Sequence, residues 1–218
     1  MDLNKSNTLK KRSDIHWARK IWHMGTVLTM ALIYGLAPES FSVGLLIFFG
    51  LLFIPLDLLR QKKEKLNRTL VSLFRGVIRA HEVHKIAGTT YLILGVSIVL
   101  LFFPKPIVLL TLLFLAIADP MASYFGIRFG KDKIFGHKSV QGFAAAFVAC
   151  TVISFAYFYW NNLMLDRIYI VALLAGLSGA VAELVPIGKL DDNLTLPVLS
   201  ALFLWVIFSL FGGLSVYV

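Results

Sequence analysis

The chain has 218 residues, 58% of them hydrophobic, with a mean hydropathy of +0.81 and a formal net charge of +9. That apolar excess excludes an ordinary water-soluble fold and makes lipid the solvent. The positive charge calls for no nucleic-acid partner, because topogenic basic loops and attraction to anionic headgroups account for it.

A helix needs roughly 20 mostly apolar residues to cross about 30 Å of hydrocarbon. Runs of that kind extend from Ile21 to Ala37, Phe41 to Leu59, Ile86 to Phe103, Ile107 to Phe125, Val140 to Trp160, Ile168 to Val185 and Leu194 to Val218. The expected fold is therefore all-α, a polytopic integral membrane protein of about seven transmembrane helices. The first run lacks a small-residue cleavage site and leads straight into a second span, so it reads as retained rather than as a secretory signal. Residues 1–20 form a basic tail, and 21–218 a single transmembrane catalytic domain.

Every Lys and Arg except Lys105 and Arg167 lies in the tail or in alternate loops that fall on one side of this topology. Positive charge marks the cytosolic side, so the N-terminus is expected in the cytosol and the C-terminus opposite. All acids except Glu39 and Asp166, and all histidines, fall on or near the same side. The membrane would be the plasma membrane in a bacterium or the endoplasmic reticulum in a eukaryote.

The fourth run contains Asp119, about 13 Å along a continuous helix from Arg128. An acid at that depth costs about 2.5–3.5 kcal/mol even on the lower scales, which makes it a candidate functional group. Pro120 has no N–H and frees a carbonyl near Ala116, so a cavity is expected beside Asp119. Ala122, Ser123 and Gly126 share its helix face, and their small side chains suit either a bulky ligand or close helix packing.

Next comes a glycine- and lysine-rich loop, Gly126 to Lys133 with Arg128, Gly130 and Lys131, and then Gly136 to Gly142 with Lys138. Glycines let backbone N–H groups turn toward an anion, the basic side chains neutralise phosphate, and Ser139 at a helix N-cap adds a donor. It is not a Walker loop, which would read G-x-x-x-x-G-K-[ST]. In the sixth run Gly176, Gly179 and Ala180 lead to Glu183, a second intramembrane acid, followed by Asp191, Asp192 and Asn193. Oxygen donors facing a basic loop suit Mg²⁺ shared with nucleotide phosphates.

Arg19, His23 and Thr26 form a stripe on the first helix, with Lys20 beside them. His81 and His84 have a spacing that could suit zinc, but no cysteine or H-E-x-x-H accompanies them and no zinc is expected. The lone Cys150 reads as packing.

Together these motifs resemble the membrane family of dolichol kinase, phytol kinase and CTP-dependent diacylglycerol kinase. The match is carried by Arg19-Lys20 with His23, by Glu82 to Tyr91 with Gly88-Thr89, by Asp119 to Gly142, and by Asp192-Asn193-Leu194-Thr195 with Pro197. Phosphatidate cytidylyltransferase is more distantly similar, since its C-terminal D-R-x-x-D pattern is missing.

The resemblance implies phosphoryl transfer from CTP, or another nucleoside triphosphate, to the hydroxyl of a membrane lipid such as diacylglycerol, dolichol or phytol. It implies catalytic roles for Asp119, Lys138, Arg19, Lys20 and Glu183. Nucleotide binding would fall to Ser123, Gly126, Arg128, Gly130, Lys131, Lys133, Lys138, Ser139 and Gly142, and Mg²⁺ to Asp119, Asp191, Asp192 and Asn193. His23, Glu82 and Thr89 would meet the lipid. Cytidylyl transfer to phosphatidate is the alternative chemistry. A membrane transporter is the rival from another class, and the one-sided polar cluster argues against it.

Overall fold

A computed structural model describes residues 17–78, 80–188 and 190–214. Most of the tail expected at 1–20 lies outside these residues, as does Lys189.

Each apolar run forms a helix. The described residues contain α1 (Trp17–Leu36), α2 (Glu39–Lys62), α3 (Glu64–Leu73), α4 (Gly88–Phe102), α5 (Lys105–Leu113), α6 (Asp119–Arg128), α7 (Val140–Trp160), α8 (Ile168–Leu184) and α9 (Asp192–Phe211). Between α5 and α6 a π turn, Phe114–Ala118, continues the same rod, so Lys105–Arg128 is one span in three parts. Five helices are long and apolar enough to cross a membrane: α2, the α5–α6 rod, α7, α8 and α9. The two remaining runs fall short for different reasons. α1 has the length but carries Arg19, Lys20 and His23 in its first turns, and α4 has only 15 residues, about 22 Å of rise.

The α5–α6 rod is the most buried of the five, with Ile107, Leu110, Leu112, Phe114 and Leu115 fully enclosed. It packs against α1, α7 and α9, while α7, α8, α9, α4 and α2 follow one another around it. Small residues set the closest approaches, as between helices that gain no hydrophobic free energy from meeting in lipid. A Cβ on Gly179 would lie 2.6 Å from the Cys150 sulfur and 2.8 Å from the Phe114 ring, and one on Gly95 would lie 2.7 Å from the Asn193 carbonyl oxygen. Cys150 is thus a packing residue under α8. Outward-facing side chains such as Leu36, Leu51, Phe102 and Trp160 are large, apolar and exposed, which suits contact with lipid.

The loop after α6 folds into a two-stranded antiparallel hairpin, β1 (Lys133–Phe135) and β2 (Lys138–Ser139), turning at Gly136 with φ +54°. Among the described residues it is the only sheet, and the periodicity did not suggest it.

Candidate active site

The π turn and Pro120 create the first part of the site. The Asp119 N–H reaches back five residues to the Phe114 carbonyl, which takes away the ordinary helical partner of Leu115. The next residue along is Pro120, with no N–H to offer. The Leu115 carbonyl is therefore left without a partner in its own helix, and His23 Nε2 lies 3.1 Å from it and donates to it. The freed carbonyl is at Leu115, next to Ala116, because the π turn shifts the hydrogen-bond register by one residue. One turn earlier on α1, Lys20 donates to the Pro120 carbonyl at 3.0 Å.

A cleft of about 420 Å³ opens beside Asp119, within the roughly 300–1,000 Å³ of ligand pockets. α1 contributes Arg19, Lys20 and His23, and α6 contributes Asp119, Ser123 and Gly126. The hairpin and the start of α7 bring Lys133, Lys138, Ser139 and Gly142, and the α8–α9 junction brings Glu183, Asp191, Asp192 and Asn193. Gly136 and His137 also line it. Four acids thus face four basic side chains across a small volume.

Lys138 is the electrostatic hub. Its ammonium lies 2.6 Å from Glu183 Oε1, 2.7 Å from the Glu183 carbonyl oxygen and 3.1 Å from Asp192 Oδ2. Burial opposes its charge, but the carboxylates of Glu183, Asp192 and Asp119 outweigh that and hold its pKa above the ordinary lysine value. Lys138 therefore stays cationic across physiological pH.

Asp119 is different. Its nearest ionic neighbour, His23 Nε2, is 3.7 Å away, too far for a hydrogen bond, and its side chain is 22% exposed to the cleft. Asp191 caps α9 by accepting the Asn193 N–H at 3.1 Å, and the Asn193 amide donates to the Gly88 carbonyl at 3.0 Å. Among the four cleft acids, Asp119 has no protein donor within hydrogen-bond reach among the described residues.

Among the described residues no three His, Cys, Asp or Glu side chains are gathered closely enough to hold an ion unaided. Mg²⁺ needs no such cage, since it takes one or two carboxylates and completes its shell with phosphate oxygens and water. The carboxylates here fit an ion that arrives with a nucleotide.

Several expected site residues do not line the cleft. Arg128 turns away onto aromatic rings, donating to the Tyr124 hydroxyl at 2.5 Å with its guanidinium 5.4 Å from the Phe129 centroid. Lys131 is exposed beyond the hairpin, and Thr89 faces outward on α4. Gly130 serves packing: a Cβ there would collide with the Gly126 carbonyl and the Ser139 hydroxyl. Ser139 caps α7 as expected, accepting the Gly142 N–H at 3.2 Å. Glu82 stands behind the cleft, where its carboxylate holds Arg19 at 2.8 Å. Thr26 turns to a separate apolar groove.

Behind Glu82 lies a network that motif reading missed. Asp57 and Arg60, both almost fully buried, pair at 2.6 Å. Arg60 also donates to Asn67 and to the carbonyls of Glu82, Val83 and Lys85, while Asp57 accepts from the Ala87 N–H and the Thr90 hydroxyl. The 80–87 segment has little regular structure, so this fork is what holds Glu82 against Arg19. The signal was present: Asp57 lies within an apolar run, as Asp119 does. Arg60→Ala should lower unfolding stability by about 3–5 kcal/mol, since it strands a buried carboxylate. Arg60→Lys should recover only part, having no planar fork. Thermal unfolding in detergent measures both.

With this geometry in view, similarity to known proteins bears on its meaning. A Schizosaccharomyces pombe protein named CTP-dependent diacylglycerol kinase 1 is 31% identical over 204 residues, covering 87% of this chain and 92% of its own length. The chain belongs to the CTP-dependent diacylglycerol kinase family. The Saccharomyces cerevisiae protein of that name is 29% identical, over 85% of this chain and 71% of its own. An uncharacterised Rickettsia prowazekii protein is 26% identical, over 84% of this chain and 90% of its own. No family model matches the chain, and no solved structure does. Membership of this kinase family gives the polar cleft at the end of apolar helices a natural class of reaction, in which a water-soluble nucleotide meets a lipid.

Proposed function

We propose that this chain is a membrane diacylglycerol kinase that transfers the γ-phosphoryl group of CTP to the lipid hydroxyl. Family membership supports the reaction class, and one observation carries the site: Asp119 faces the cleft without a hydrogen-bond donor, His23 being 3.7 Å away, while the neighbouring acids are engaged. A carboxylate with no hydrogen-bond donor and a triphosphate in one small cleft repel each other unless a cation lies between them. Asp119, with Asp192 or Asp191, is where Mg²⁺ would be held; when bound it neutralises phosphate charge.

The remaining work falls to the chain itself. Lys138, fixed by Glu183 and Asp192, presents a permanent positive charge where phosphate negative charge builds. Lys20 and Arg19, anchored to the Pro120 and Val77 carbonyls, supply charge from the α1 side. Glu183, locked on Lys138, is a positioning residue rather than a base. The lipid hydroxyl oxygen forms a bond to the γ-phosphorus as the β–γ bridging bond breaks, CDP leaves, and the hydroxyl proton passes to water at the mouth.

The topology we infer adds α1 and α4 to the five long apolar helices, giving seven spans with the N-terminus and the cleft in the cytosol and the C-terminus opposite. The segregation of basic residues supports it. A basic tail at 1–20 would precede one catalytic domain at 21–218.

Purified protein in lipid, given CTP or ATP with diacylglycerol, a polyprenol, phytol or, in a separate arm, phosphatidate, tests the reading. Label from the γ-phosphate of CTP should appear in diacylglycerol-derived phosphatidate. Label from the α-phosphate in lipid would instead mean cytidylyl transfer, and no labelled lipid from any pair would end the kinase reading.

A further inference from the structure

A second cavity, of about 700 Å³, opens between α1, α2, α4 and α5. α1 walls it from Ala18 to Tyr34, about 24 Å at 1.5 Å per residue. That exceeds the roughly 15 Å depth of one leaflet, half of a hydrocarbon core about 30 Å thick. Leu45, Phe49, Val96, Leu100 and Leu112 line the opposite side. The groove follows apolar helices, where the surrounding solvent is hydrocarbon, so its lining suits a hydrocarbon chain better than a soluble ligand.

The groove and the polar cleft share α1. Ala18, Ile21 and Trp22 face the groove, while Arg19, Lys20 and His23 face the cleft. Val77 lines the groove, and its carbonyl accepts the Arg19 guanidinium at 2.9 Å. Arg19 thus lines the cleft and is bonded to the main chain of a groove residue. A chain lying in the groove has its polar end within about one helical turn, 5.4 Å along the axis, of the cleft-facing residues.

We propose that this groove seats one acyl chain of the diacylglycerol acceptor, an inference that rests on the kinase reading above. Transfer of a chain from bilayer to groove gains little, because lipid tails are as apolar as the wall. The groove acts through geometry, holding the glycerol hydroxyl at the cleft in place of free lateral diffusion. Discrimination between acceptors of different chain length then resides in its shape.

Gly25 offers a clean probe. It lines the groove, and a Cβ there would meet nothing within 4 Å, so a larger side chain extends into open space. Gly44 on α2 is equally open but lies outside the groove, and serves as the control. With the full chain in nanodiscs, Gly25→Leu and Gly25→Phe should lower the ratio of kcat/KM for dioleoylglycerol to that for dioctanoylglycerol by at least about tenfold. Gly44→Leu should leave the ratio unchanged. An unchanged ratio in active Gly25 variants, or an equal fall in the control, overturns the proposal and leaves the kinase reading standing. A wild-type protein that phosphorylates no diacylglycerol overturns both.

A second measurement needs no variant. A diacylglycerol with a diazirine near its chain terminus should label wild-type protein between Trp22 and Ile33 or between Leu45 and Phe49, and excess dioleoylglycerol should suppress the labelling. Labelling elsewhere, or suppression equally by phosphatidylcholine, identifies the occupant as bulk lipid and overturns the proposal.

Discussion

Asp119→Asn should lower kcat about 10²–10³-fold, the scale set by several kcal/mol of lost metal-borne charge stabilisation. Asn keeps the shape and removes the charge. Because its nearest ionic neighbour, His23, lies 3.7 Å away and beyond hydrogen-bond reach, the substitution gives up only that long ion pair, and thermal stability should change little. Both directions follow from one fact: a half-buried acid with no hydrogen-bond donor costs the fold something and is retained for what it meets in the cleft. Raising the Mg²⁺ concentration should recover part of the lost activity, since an amide oxygen remains a weak ligand. Wild-type turnover in this variant would remove Asp119 from the site. A collapse in stability would show that the carboxylate has a structural partner.

Lys138→Ala should do the opposite on stability. It strands Glu183, whose side chain is 4% exposed, and removes a partner of Asp192. Breaking a buried pair from one side costs about 3–5 kcal/mol, because the remaining charge has no compensation. Activity should fall by about 10²–10³-fold as well, through loss of a fixed cation beside the phosphates. The double variant Lys138→Met with Glu183→Gln separates the two effects: it removes both charges, so the unfolding temperature should return toward wild type while turnover stays low. Recovery of turnover together with stability would make the pair purely structural.

Much of the helical layout could be read from hydropathy, because lipid imposes one rule on every span. Val140 to Trp160 was located to the residue, and Ile168 to Val185 to within one. Boundaries drifted where polar side chains cap or flank a span, as at Trp17 and Glu39, since the helix continues past the apolar run. Depth in the membrane made Asp119 and Glu183 stand out, and Lys138 and the α8–α9 acids followed from their neighbours. Other features depend on direction rather than on residue type. Arg128 and Lys131 have the right chemistry and point the wrong way, and of the two threonines after Gly88 it is Thr90, not Thr89, that faces inward. The Arg60 fork is bound mainly to main-chain carbonyls of the 80s segment, which carry no letter in the sequence. The π turn at Phe114–Ala118 is equally silent, since FLAIA is compatible with an ordinary helix.

That π turn has a consequence for how the rod can vary. A π turn accommodates one residue more than an α turn, so everything on its Asp119 side is rotated by about 100° relative to an unbroken helix. The direction of Asp119 is thus a matter of backbone phase. Sequence change in Phe114–Ala118 that keeps the same number of residues preserves that phase, whereas loss of a single residue there would swing the carboxylate out of the cleft while keeping every cleft residue present.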